Sequence, residues 1–234
     1  MNTASQLALD FDHRPSLGGE DFLVAPQNAE AVRWLDAWPD WPGPALVIFG
    51  PGGSGKTHLA QVFEAKSNAR RVTPAELRES QPPAYLGDAP AAILEDADGV
   101  CGPGGENSEE AVLHLYNHLA ESGRHLMLTA KRPPARWDIG LKDLASRLNT
   151  ASQAGIGAPA DALIAAVLVK QFADRQLKID ADVISFMLTR MERSFEAARS
   201  MVAAIDALAL SQRRNITLPL VRQVLHSELK IGDK

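Results

Sequence analysis

Cysteine is nearly absent, with Cys101 standing alone in 234 residues. It cannot close an internal disulfide, and no cysteine cluster exists to bind zinc, so a reducing compartment is expected. Long apolar runs are missing too. The longest, Ala162 to Val169, is far short of the roughly 20 residues that span a bilayer. The first residues, MNTASQLALDFDHRP, have neither the basic start nor the apolar block of a secretion signal. A basic excess is also lacking: 24 Lys+Arg against 29 Asp+Glu leave a net charge of −5. Together these absences predict a soluble, cytoplasmic protein with no membrane segment and no dedicated DNA-binding domain.

What is present is ordinary globular usage, 45% hydrophobic and 23% charged, which excludes a disordered or fibrous chain. The character of the chain changes near Gly157. Before it, short apolar runs alternate with helical patterns. Ala45–Phe49 (ALVIF) has the all-apolar composition of a strand buried on both faces. Ala91–Leu94 and His125–Ala130 read similarly, and a weaker strand is expected around Arg71-Val72. Helices are expected from about Pro26 to Trp38, over Lys56–Lys66 and over Ser108–Ser122. Alternation of this kind implies an open α/β sheet with helices on both faces. After Gly157 the pattern is helical throughout, over Ala160–Gln176, Asp182–Glu192, Phe195–Gln212 and Leu218–Leu229. The expected organisation is a tail over 1–19, an α/β domain over 20–157 and a small all-helical domain over 158–234.

The chemistry begins at Gly50-Pro51-Gly52-Gly53-Ser54-Gly55-Lys56-Thr57, which fits G-x-x-x-x-G-K-[ST] at every fixed position. Glycines let backbone N–H groups turn inward around phosphate oxygens, and the following helix presents its positive end. Lys56 is placed to reach the β and γ phosphates and the Thr57 hydroxyl to hold Mg²⁺. With glycine near 7% of residues, the pattern arises by chance in about 1% of chains of this length. It also sits between a buried strand and a helix, the context the motif requires. A second element is acidic: Ala91–Leu94 delivers Glu95 and Asp96 at a strand end, where carboxylates hold the Mg²⁺ shell and orient water.

The order of these parts resembles an AAA+ P-loop NTPase of the DnaA/Hda family, from about residue 20 to the end. Gly55-Lys56-Thr57-His58-Leu59 resembles the family's GKTHL run, which places His58 beside the nucleotide as well. Ile93–Asp96 falls at the Walker B acids, and Leu128-Thr129-Ala130 at the sensor-one strand. Asp143-Leu144-Ala145-Ser146-Arg147-Leu148 resembles a DLASRL stretch whose arginine is presented to a neighbouring subunit. Asn215 to Leu225 resembles the final helix of the lid. Gln6-Leu7-Ala8-Leu9-Asp10-Phe11 resembles the peptide that docks on the β sliding clamp (DnaN), with Gln6 for polar contacts and Leu7, Leu9 and Phe11 as apolar anchors.

The resemblance implies a parallel sheet flanked by helices plus a helical lid, with ADP or ATP and Mg²⁺ as ligands. It further implies DnaA and the clamp as partners, self-association gated by nucleotide or clamp, and association with the replisome through the clamp. Arg147 would act as an arginine finger on ATP held by DnaA. Three positions depart from the family. Glutamate replaces aspartate at position 95, and its extra methylene moves the carboxylate by about 1 Å, enough to impair water positioning. Lys131 stands where an acid is usual. Glu196 takes the place of the sensor-two arginine, which leaves Arg193, one turn earlier, as the substitute. Weak intrinsic hydrolysis and a preference for ADP are therefore expected. Two alternatives stand beside this reading: an autonomous ATPase of the helicase-loader type, and a P-loop kinase of small molecules.

Overall fold

A computed structural model of the chain describes residues 12–14, 22–79, 81–102, 108–212 and 214–229. These fall into two compact units that divide between Gly157 and Ala158.

The first unit opens with a short antiparallel pair, β1 (Asp12–Arg14) and β2 (Phe22–Val24), followed by helix α1 (Ala29–Asp36). The main elements then alternate. They are β3 (Ala45–Phe49), α2 (Lys56–Ser67), β4 (Arg70–Arg71), α3 (Pro74–Glu79), α4 (Pro82–Leu86), β5 (Ala91–Leu94) and α5 (Ala97–Val100). There follow α6 (Ser108–Glu121), β6 (His125–Ala130), a 3-10 turn at Pro134–Arg136, α7 (Lys142–Thr150) and β7 (Ser152–Gly155). The five strands from β3 to β7 form one parallel sheet in the order β4-β5-β6-β3-β7.

Strand β3 earns its interior place by composition. Val47 faces a core built from Leu126 and Leu128 of β6, Leu115 and Leu119 of α6, and Leu144 and Leu148 of α7. Its neighbours Leu46 and Ile48 face the opposite core, with Leu35 of α1 and Leu59 and Phe63 of α2. Alternate residues thus enter different cores, as the two-residue period of a strand dictates. Each such fully buried side chain contributes about 1.5–3 kcal/mol. The predicted α/β sandwich is the one observed.

Three strands differ from the sequence expectation. The sequence marked residues 1 to about 20 as a tail, yet Asp12–Arg14 pairs with Phe22–Val24. β7 (SQAG) carried no apolar signal, because it is an edge strand whose order comes from pairing with Leu46–Phe49. Edge positions tolerate polar residues that an inner strand does not.

The second unit is helical: α8 (Asp161–Asp174), α9 (Ala181–Leu188), α10 (Phe195–Gln212) and α11 (Leu218–Leu229). Leu168 and Phe172 of α8, Met187 of α9, Val202 and Ile205 of α10, and Val221 of α11 share its core. Among the described residues no helix is long and apolar enough to cross a membrane.

Candidate nucleotide site and the arginine helix

The loop from Gly50 to Thr57 connects β3 to α2. Gly50 N–H donates to the Ala130 carbonyl at 3.1 Å, tying the loop to the end of β6. A side chain at Gly50 is excluded, since a Cβ there would lie 2.3 Å from the Ile156 carbonyl oxygen. Gly55 caps α2 with φ near 99° and Gly53 has φ near 66°, conformations that cost little only for glycine. At Gly52 a Cβ would meet nothing within 4 Å, so the loop's outer side is open.

Lys56 is buried, and its ammonium donates to the carbonyls of Gly50 and Pro51, both at 2.8 Å. Burial lowers its pKa from the ordinary lysine value, against the opposing pull of Asp96 and Asp98. Ser54 Oγ is buried without a partner among the described residues. A buried polar atom left open in this way is costly, and an anion seated in the loop would satisfy it. Thr57 is exposed in the first turn of α2 and His58 half-buried. The first-turn amides of any helix lack intrahelical acceptors. The residues present therefore fit a phosphate chain.

The two acids after β5 part company. Glu95 pairs with Arg71 of β4, whose Nε also donates to Glu64 of α2 at 2.6 Å. Asp96 adopts a left-handed conformation, φ 49°, which aspartate tolerates better than most residues. Its N–H donates to the Thr129 hydroxyl of β6 at 3.1 Å. Asp98 of α5 accepts the N–H of Lys131 at 3.2 Å. Among the described residues no group of three or more His, Cys, Asp or Glu side chains gathers as a self-sufficient metal site.

Arg147 lies on α7, whose Leu144 and Leu148 are buried against the sheet. Glu109 of α6 fixes the entry to that helix by accepting the N–H groups of Gly140 and Leu141, at 3.1 and 2.7 Å. The Arg147 guanidinium lies 5.5 Å from the centre of the Tyr116 ring, and its Nε donates to Asp143 at 3.1 Å. Sequence reading missed Glu109, Tyr116 and Arg71 as contributors; no motif marks them.

Arg193 is not where the sequence placed it. The helix α10 begins at Phe195, because Ser194 caps it, its hydroxyl accepting the Ala197 N–H at 3.0 Å. Arg193 precedes the cap and forms a two-pronged pair with Asp161, at 2.6 and 3.1 Å. Gln6, Leu7, Leu9 and Phe11 lie outside the described residues.

Comparison with known proteins agrees with this architecture. Residues 161–225 match the family described as "Hda, lid domain". An uncharacterized protein of Haemophilus influenzae is 29% identical over 196 residues, covering 80% of this chain and 84% of that one. Domain III of the Thermotoga maritima replication initiation protein DnaA superposes with a TM-score of 0.76 at 18% identity, covering 88% of this chain and 94% of that chain. AMPPCP-bound DnaA from Aquifex aeolicus gives 0.65 at 18% identity, over 82% of this chain and 65% of that chain. The chain thus has the fold of DnaA domain III, a five-stranded parallel sheet flanked by helices, followed by a helical segment that matches the Hda lid family.

Proposed function

We propose that the chain regulates replication initiation by promoting ATP hydrolysis on DnaA, leaving the initiator in its ADP form. The match of residues 161–225 to the Hda lid carries this reading. Arg147 acts as the finger. It is a half-exposed guanidinium on a helix whose other face is anchored in the core. A finger neutralises charge that develops on the transferring phosphoryl group, an effect of about 10³–10⁵ in rate.

The chain's own nucleotide is ADP in preference to ATP, and it is held rather than turned over. The amides of Gly50 to Thr57, Lys56 and His58 bind it. Thr57 and Asp96 are the candidate Mg²⁺ side, and Glu95 beside them is paired with Arg71. Gln6, Leu7, Leu9 and Phe11 dock on the β sliding clamp and hold the protein near DNA. Self-association follows nucleotide or clamp binding.

The test is DnaA-dependent phosphate release with the chain and DNA-loaded clamp, each added and omitted. Stimulation that needs both supports the proposal. Rapid turnover by the chain alone would favour an autonomous ATPase of the helicase-loader type.

A further inference from the structure

Three charged side chains meet beside the phosphate loop for reasons of register. Arg71 of β4 lies opposite Ile93 of β5. Ile93 faces the core that α2 covers, and Glu95, two residues on, shares that face by strand periodicity. Glu64 comes from α2 itself. One guanidinium thereby serves two carboxylates, Nε to Glu64 and a terminal nitrogen to Glu95. Its remaining nitrogen is buried without an acceptor among the described residues, so the guanidinium has no spare partner to which it could turn. The acids acting on Lys56 agree with this division: Asp96 and Asp98 influence it more strongly than Glu95 does.

We propose that Arg71 is a positioning residue that withholds Glu95 from nucleotide-bound Mg²⁺, so that the metal adds little to nucleotide affinity. The inference rests on the reading of Gly50–Thr57 as an adenine-nucleotide site. A carboxylate already paired with a guanidinium is a poorer acceptor for metal-bound water, and the fixed positive charge repels the cation itself. A hydrogen bond to a charged group changes an equilibrium constant by about ten- to a hundredfold. The triad is partly solvated, with Arg71 32% and Glu95 28% exposed, so the lower end of that range applies. That corresponds to about tenfold in an equilibrium constant.

The experiment is calorimetric titration of ADP into the full chain, in Mg²⁺ and in EDTA, giving a ratio of the two affinities. Arg71→Gln should raise the ratio about tenfold, and Arg71→Lys, which keeps the charge, should stay near the wild-type value. Adding Glu95→Gln to Arg71→Gln should remove the gain. Glu64→Gln supplies a readout that loss of structure cannot mimic. It frees Arg71 from its second partner and tightens the hold on Glu95, so the ratio should stay level or fall. An unchanged ratio in folded Arg71→Gln, a gain that survives Glu95→Gln, or a rise in Glu64→Gln would each overturn the proposal. Failure of the wild type to bind ADP at all would instead overturn the reading of the site.

Discussion

The guanidinium of Arg147 is held in place by the Tyr116 ring, 5.5 Å from its centre, and by Asp143 one helical turn earlier. Neither contact is strong. An exposed i,i+4 ion pair contributes about 0.3–0.5 kcal/mol and an exposed cation–aromatic contact about 0.5–1. Together they aim the side chain without committing it. Arg147→Ala and Asp143→Ala should therefore each lower stability by no more than about 1.5 kcal/mol, read from urea unfolding at equilibrium. A loss of several kcal/mol would make Arg147 a structural residue.

Lys56 links nucleotide binding to pH. Its pKa is lowered chiefly by burial, opposed by Asp96, Asp98 and Glu95 and assisted by Lys131. Between the lowered value and the ordinary 10.5 the folded protein has lost a proton that the unfolded chain still binds, so the burial penalty on stability is relieved as pH rises through that window. Bound phosphate would restore the charge. ADP binding should thus take up protons on the alkaline side, and affinity should fall as pH rises through the lowered pKa. Calorimetry in buffers of different ionisation enthalpy measures the uptake; proton release on binding would contradict it.

Cys101 should be inert in the folded protein. It is fully buried, and burial, with Glu109 and Asp98 adding to it, pushes the thiol up to about 12. The thiolate is the reactive form, so a chromogenic thiol reagent should label the chain only as it unfolds. Stoichiometric labelling within seconds under native conditions would show that the surrounding loop opens.

The tail makes a separable prediction. Replacing Leu9 and Phe11 by alanine removes about 1.5–3 kcal/mol of contact per side chain if each is buried in a clamp pocket. Clamp binding should weaken by one to several orders of magnitude, while the thermal midpoint hardly moves. Normal clamp binding by the double variant, or ready unfolding, would make these side chains part of the fold.

How much of this was legible beforehand varied with the physical origin of each feature. ALVIF announced β3 because a strand buried on both faces can carry no polar residue. The tight loop from Gly50 to Thr57 was legible because its glycines are required by geometry, as Gly50 demonstrates against Ile156. The helices α10 and α11 matched their expected limits, from Phe195 to Gln212 and from Leu218 to Leu229. Local chemistry without an apolar pattern was not legible. β7 is ordered by its neighbour, and α7 is a short, mostly polar helix whose entry depends on Glu109, 32 residues from Leu141 in sequence. Arg193 was counted one turn before Glu196 on the same helical face, but Ser194 caps the start of α10 and leaves Arg193 ahead of the helix. Arg71 carried no signal beyond a weak strand, and only the pairing of β4 with β5 sets it beside Glu95.

The claim that matters most is that Arg147 acts on a nucleotide the chain does not itself hold. Phosphate release by DnaA should be measured with DNA-loaded clamp and either wild-type chain or Arg147→Ala, after confirming that both bind ADP and clamp equally. The account predicts stimulation by the wild type and its loss, by about 10³-fold or more in the accelerated rate, in the variant. Stimulation of equal size by Arg147→Ala would contradict it.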